Sequence, residues 1–224
     1  GAMYDYNYDD GNYLLEDYGE EVRTVIINDG VTSIGNDAFA CFYELTSVTI
    51  GNSVTKIGDY AFAVCESLKN ITIPGNVTTI GDYTFYCCSS LSSVTIPDSV
   101  TTIGKSVFEE CDSLTTVTIP DSVTTIGEMA FAYCDKLKSM IIPGSVKTIG
   151  VHAFSCCYKL ANVTIGDGVT TISDDAFYYC SSLSSIAIPD SVTTIGDDVF
   201  ACCYSLTNIT IGDGVTRIGE GVFY

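Results

Sequence analysis

Basic residues are scarce in this chain: nine Lys and Arg stand against 28 Asp and Glu, a formal net charge of −19 over 224 residues. Nucleic-acid binding needs a basic footprint, and anionic membrane surfaces attract one, so this balance excludes both as partners. Histidine occurs once, as His152, and no two cysteines are spaced C-x-x-C. A zinc site therefore lacks its ligands, and a cysteine nucleophile lacks the nearby base that would activate it. No run reaches the roughly 18 uncharged apolar residues of a membrane span, which excludes membrane insertion. Also missing are a Gly-rich phosphate loop, an EF-hand loop, a calcium-binding nonapeptide and any carboxylate pair that stands out from the sequence pattern. The reading is a non-enzyme with no cofactor and no metal.

What the chain has instead is repetition. Phe recurs at Phe39, Phe62, Phe85, Phe108, Phe131, Phe154, Phe177, Phe200 and Phe223, each step being 23 residues. Val31 to Val215, Ile34 to Ile218 and Leu45 to Leu206 keep the same step, and no insertion breaks the register after Val31. One unit runs Val100 to Ser122, VTTIGKSVFEECDSLTTVTIPDS. Leu114-Thr-Thr-Val117-Thr-Ile119 alternates apolar with polar residues and is rich in β-branched types, so it reads as a strand. Pro120 and Asp121 end it, since Pro cannot donate to a ladder and Asp favours a local turn. Val100 to Ile103 is a second short extended run closed by Gly104. Val107, Phe108, Cys111 and Leu114 then fall three or fewer residues apart, which predicts a single helical or 3₁₀ turn. A unit this small cannot bury its own apolar side, and stacking joins the Val, Ile, Phe and Leu columns into one core.

The motif Leu-x-x-Val-x-Ile-Pro-Asp-Ser-Val-Thr-Thr-Ile-Gly-x-x-x-Phe-x-x-Cys resembles the BspA-like leucine-rich repeat of bacterial surface proteins, over Val31 to Tyr224. The resemblance implies an α/β leucine-rich-repeat solenoid, right-handed, with parallel strands and a short strand and helical or 3₁₀ turn per unit. With layers about 4.8 Å apart, the nine Phe positions predict a rod on the order of 40 Å. Residues 31–224 are read as the array, eight full repeats and a truncated ninth. Residues 1–30 are read as an acidic, Tyr-rich cap and first strand, with Leu14 and Leu15 covering the core. Gly1, Ala2 and Met3 fit either native sequence or the scar of a removed tag. The array stops at Phe223-Tyr224 without a polar capping repeat. Solenoids need caps, so the expectation is a fragment of a longer protein, or end-to-end self-association through the open layer.

Eleven cysteines would ordinarily point to disulfides. Cys65, Cys88, Cys111, Cys134, Cys157, Cys180 and Cys203 share one column, and Phe42 replaces them in the first unit. A position that accepts Cys or Phe is an inward apolar position, so free buried thiols are the preferred reading, although neighbouring layers lie within disulfide reach. The other four, Cys41, Cys87, Cys156 and Cys202, alternate one residue earlier with Val64, Glu110, Tyr133 and Tyr179. His152, in a column with Tyr60, Met129 and Asp175, reads as an ordinary surface side chain.

Three surfaces could take a ligand. The first is aromatic: Tyr133, Tyr158, Tyr178, Tyr179 and Tyr204 vary near the predicted helical turn, as do Tyr43, Tyr60, Tyr83 and Tyr86. Tyr is a favoured interface residue, while the plainer role is to cover the Cys column. The second is the long-strand face, where Ser, Thr and Asn can form a ladder and Ile141, beside Lys138, breaks the polar pattern, as does Ala187. The third is a calcium ladder of Asp98, Asp121, Asp167, Asp190 and Asp213, for which turn formation is the simpler account. Asn70, Asn76, Asn162 and Asn208 head Asn-x-Thr sequons that arise readily in Thr-rich repeats.

The resemblance implies a secreted or cell-surface module that binds protein, with adhesion to a host or neighbouring cell, or capture of the organism's own secreted proteins, as its role. The alternative is a non-binding spacer within a larger secreted protein.

Overall fold

The structure, a computed structural model, describes residues 21–224; the expected cap over residues 1–20 lies outside the described residues. Each coil of the chain contributes one long and one short strand, and every pairing is parallel. The long strands are Thr24–Ile27, Ser47–Ile50, Asn70–Thr72, Ser93–Thr95, Thr116–Thr118, Ser139–Ile142, Asn162–Ile165, Ser185–Ile188 and Asn208–Ile211. The short ones begin at Ser33–Ile34 and end at Arg217–Ile218. Partners lie one repeat apart, as Thr24↔Ser47, Ser139↔Asn162 and Thr125↔Thr148 do. The long-strand ladder is continuous from Thr24–Ile27 to Thr116–Thr118 and then regroups into two pairs. Alternation works as the pattern predicts: in Ser47–Ile50, Val48 and Ile50 are buried while Ser47 and Thr49 face solvent.

The repeated apolar columns meet inside. Phe62, Phe85, Phe108, Phe131, Phe154 and Phe177 have no exposed surface. Their rings stack layer on layer, with centroid steps of 5.3 Å from Phe108 to Phe131 and again from Phe131 to Phe154. The planes stay nearly parallel, at 3° for Phe131 and Phe154. Val54, Val100, Ile126, Leu114 and Leu137 complete the core at zero exposure.

The third side of the coil corrects the sequence reading: the described residues contain no helix. The spacing of Val107, Phe108, Cys111 and Leu114 is compatible with a helix, but the backbone is not. Ser106 (φ 51°) and Glu110 (φ 58°) are left-handed, and the same two positions are left-handed in the other units, as at Met129 (φ 53°) and Tyr133 (φ 58°). A left-handed residue every fourth position stops right-handed i→i−4 bonding before it can propagate. The amides go elsewhere. Ser106, Phe108 and Glu110 donate to the carbonyls of Glu128, Ala130 and Ala132 in the next layer, at 2.8, 2.9 and 3.0 Å. Glu109 and Cys111 close single turns onto Ser106 and Phe108. The segment is thus a third interlayer ladder.

Side chains reinforce the stacking. Thr115 Oγ1 donates to the Ser92 carbonyl at 3.2 Å and Ser122 Oγ to that of Val100 at 2.6 Å. The Lys105 amide donates to Asp82 Oδ1, and that of Asp82 to Asp59 Oδ1. The expected ladder of long-strand hydroxyls is largely shifted outside the strand, onto Thr46, Ser92, Thr115 and Thr207. Gly127 shows how closely layers approach: a Cβ there would lie 2.6 Å from the Gly104 carbonyl oxygen. In the last layer Ile211 and Ile218 are exposed, as is Phe223.

A hole in the Phe column is predicted to be costly because packed layers above and below cannot close over it. Phe131→Ala should lose about 3–5 kcal/mol of unfolding free energy in a denaturant titration; a loss under about 1 kcal/mol would contradict the packed stack.

Candidate binding surface

Most side chains of the two left-handed columns reach the surface, Ser106 and Cys156 being buried. The columns hold Asp37, Tyr60, Tyr83, Ser106, Met129, His152, Asp175 and Asp198 in one, and Cys41, Val64, Cys87, Glu110, Tyr133, Cys156, Tyr179 and Cys202 in the other. Glycine would fit such a backbone without strain, and Gly221 (φ 62°) occupies the first column once. Bulky residues there each cost on the order of 1–3 kcal/mol.

These columns bring the tyrosines together. Tyr179 meets Tyr158 edge-on at 5.6 Å, Tyr204 at 5.6 Å and Tyr178 at 5.8 Å between ring centroids. Tyr133 joins through Cys156, which shares its column one layer on and lies close enough to act on both Tyr133 and Tyr158. Cys202 acts likewise on Tyr178 and Tyr204. The result is a ribbon alternating Tyr133, Cys156, Tyr179 and Cys202 along the column, with Tyr158, Tyr178 and Tyr204 beside it. Tyr204 is 72% exposed and Tyr133 40%, while Tyr158, Tyr178 and Tyr179 are half-buried. Four of the phenols resist ionisation. The neighbouring Cys156 thiol holds Tyr158 up at about 12 and also raises Tyr133. Tyr178 is raised by Cys202, and Tyr204 by the neighbouring Cys202 and Tyr179. Near neutral pH the ribbon therefore offers neutral rings and hydroxyls.

Toward the N-terminus the same side carries a second aromatic group. Tyr60 stacks on Tyr83 at 4.6 Å, and Lys105 sits 6.0 Å over the Tyr83 ring while paired with Glu128 at 3.0 Å. Tyr86 and Cys87 both hydrogen-bond to Glu110, at 3.5 and 3.1 Å.

Ile141 is 69% exposed on the strand Ser139–Ile142, with Lys138 exposed just before it. That is the long-strand side of the coil, so the structure does not join these two to the ribbon. Ile26, in the same column and 65% exposed, was not singled out from sequence because it precedes the Val31 register. The place of Cys156 and Cys202 between the tyrosines also escaped that reading, although their alternation with Tyr133 and Tyr179 was its signal.

The cysteine column is buried, and all eleven cysteines are free thiols. Each column thiol donates to a Phe carbonyl, Cys134 to Phe108 at 3.2 Å and Cys157 to Phe131 at 3.1 Å. The ribbon contacts the outer cysteines, not this column. His152 Nε2 lies 3.7 Å from Asp175 Oδ2. Of the turn aspartates, Asp190 lies in a local turn closed by the Val192 amide on the Pro189 carbonyl at 3.1 Å, and its Oδ1 also accepts the Asp213 amide of the next layer at 2.9 Å. Among the described residues no group of three or more His, Cys, Asp or Glu could hold a metal ion.

A family model for BspA type leucine-rich repeat regions matches residues 17–138 and 101–224. The chain belongs to that family. A leucine-rich repeat protein of Eubacterium ventriosum is 30% identical, the match covering all of this chain and 68% of that one, with a TM-score of 0.61. A T. pallidum leucine-rich repeat protein is 25% identical over all of this chain and 91% of its own, with a TM-score of 0.69. A pneumococcal vaccine antigen shares the fold at 21% identity over 89% of this chain and 55% of its own, TM-score 0.57. No curated protein matches. Leucine-rich-repeat scaffolds are typical of protein-binding surface proteins and generally non-catalytic. No helix among the described residues is long and apolar enough to cross a membrane.

Burial raises the column thiols, Cys65, Cys157 and Cys203 to about 12 and Cys88, Cys111, Cys134 and Cys180 well upward. The folded pKa exceeds the unfolded one of about 8.5, so the native state keeps protons that the unfolded chain releases. Their contribution is complete below that value and is lost as pH rises toward 12. Urea unfolding should give a lower free energy at pH 10.5 than at pH 7.5, with a shallower fall in Cys134→Ala; an equal fall in both would remove the thiols as its cause.

Proposed function

We propose that this chain is a protein-binding module of the bacterial cell surface or secretome, and that Tyr133, Tyr158, Tyr178, Tyr179 and Tyr204 form its contact surface. The observation that carries the reading is the connected tyrosine ribbon, part of it seated on left-handed backbone where glycine would cost less. Tyr133 and Tyr179 occupy such positions at an energetic cost and leave large amphipathic rings outside the core. Such rings supply contact area at little entropic expense and are enriched at binding hot spots. Family membership supports both the protein ligand and the surface location, with adhesion to a host or neighbouring cell, or capture of a co-secreted protein, as the role. Ile141 and Lys138 would serve as a lesser contact on the long-strand side.

The spacer reading is favoured by that long-strand side, where exposed Thr49, Thr72, Thr95 and Thr118 repeat with little variation. End-to-end self-association through Ile211, Ile218 and Phe223 is part of the binding proposal, and sedimentation velocity across a concentration series tests it. A single concentration-independent species would remove that mode.

The main test is affinity capture by the immobilised chain from extracellular-matrix proteins and the source organism's secretome. A partner retained by wild type and weakened at least about tenfold by Tyr179→Ala, the loss expected at a hot spot, supports the ribbon. Retention undiminished in Tyr179→Ala and Tyr204→Ala would move the contact elsewhere, and no partner at all would favour the spacer.

A further inference from the structure

We propose that the tyrosine ribbon takes an arginine- or lysine-rich protein segment, its cations lying over the rings with carboxylates alongside. This rests on the binding reading above and adds the chemistry of the partner. Three observations converge on it.

The first is the charge around the rings. Glu110 lies one layer from Tyr133 in the same left-handed column, Asp135 one layer from Tyr158, and Asp175 three residues before Tyr178, and each acts on the phenol beside it. Asp112 is crowded by Asp135 and Glu110, and burial together with that crowding raises its pKa. Carboxylates held near one another and partly desolvated gain most from an added positive charge. The second is the local lack of cations. Lys105 acts on Glu109 but lies over Tyr83, Lys136 lies near Asp112 but bonds Ser113 Oγ at 3.4 Å, and His152 faces Asp175. After Lys159, seven aspartates pass before the next base, Arg217. The third is an internal example. Where this side of the coil has its own cation, Lys105 lies over the Tyr83 ring and pairs with Glu128. The ribbon offers the same ring and carboxylate combination without an equivalent lysine over a ring.

A neutral aromatic face next to a carboxylate is a recognition site for guanidinium or ammonium groups. A neutral apolar partner would bury the rings equally well but would leave these carboxylates desolvated and unpaired. Nucleic acid and anionic membranes are repelled by the same charge.

The test must separate the ribbon from the general attraction of an acidic protein for any polycation. Fluorescence anisotropy with a fluorescein-labelled nona-arginine peptide, at about 0.15 M salt where distant charges are screened, does so through paired variants. Asp135→Asn with Asp175→Asn removes two charges beside the ribbon. Asp121→Asn with Asp213→Asn removes two from the turns after the long strands. The ribbon pair should weaken binding about fivefold, the remote pair less than about twofold, and Tyr158→Ala with Tyr204→Ala about as much as the ribbon pair. Equal effects of the two aspartate pairs, or no effect of the tyrosine variants, would overturn the inference. So would absence of peptide binding by wild type. Capture of a neutral or acidic partner through Tyr179 would overturn the inference while leaving the ribbon as a binding surface.

Discussion

The constraint on which everything else depends is the register of hydrogen bonds between layers. Every coil must present its amides and carbonyls one repeat away on all its sides, because a coil of 23 residues has no partners of its own for most of them. The long and short strands exchange bonds with both neighbouring layers, as parallel ladders do, and the turn side donates to the next layer, as Phe108 does to Ala130. A single inserted residue would break every ladder at once, which is why the spacing is invariant from Val31 onward. The Phe stack and the thiol-to-carbonyl bonds of the cysteine column follow from this register. Identical residues are placed over identical residues, and only groups that pack or bond with their own kind can fill the interior.

The same register explains where variation is tolerated. Turning the third side without a helix requires left-handed backbone twice per coil, and at those positions the side chain stands away from the Phe column. The columns can then carry Asp, Tyr, Met, His, Cys or Val without disturbing the core, at a local conformational cost. A rigid scaffold with replaceable outer columns is what a binding module needs, and Tyr133, Cys156, Tyr179 and Cys202 make use of it. The partner-facing chemistry is thus set by a few positions that contribute little to the fold.

Most of the fold was legible in the sequence because it is written nine times. Phe39 to Phe223 fixed the period, the alternation in Leu114 to Ile119 identified the long strand, and the exchange of Phe42 for cysteine showed that column to be interior. The turn side was misread because Val107, Phe108, Cys111 and Leu114 have helical spacing, and apolar spacing reports only which side chains point inward. The backbone sign was hidden because left-handed positions here are filled by ordinary residues. Gly221, in the column of Asp198 and Asp175, was the one visible hint. Of the candidate surface, the tyrosines were found because they vary within a regular pattern. Their division from Ile141 and Lys138 was legible too, since those two fall in or beside the long strand; which rings meet was not, because that depends on the left-handed backbone.

Amide hydrogen exchange resolved to single residues tests the central claim most directly, namely that the turn side is an interlayer ladder equal to the strands. The amides of Phe85, Phe108, Phe131 and Phe154 should be protected to the same degree as those of Thr124 and Gly127 on the short-strand side, and should open together with them in one cooperative event. Exchange of the turn-side amides through local openings of low free energy, while the strand amides stay protected, would show a loop draped on a two-sided sheet and would contradict the account.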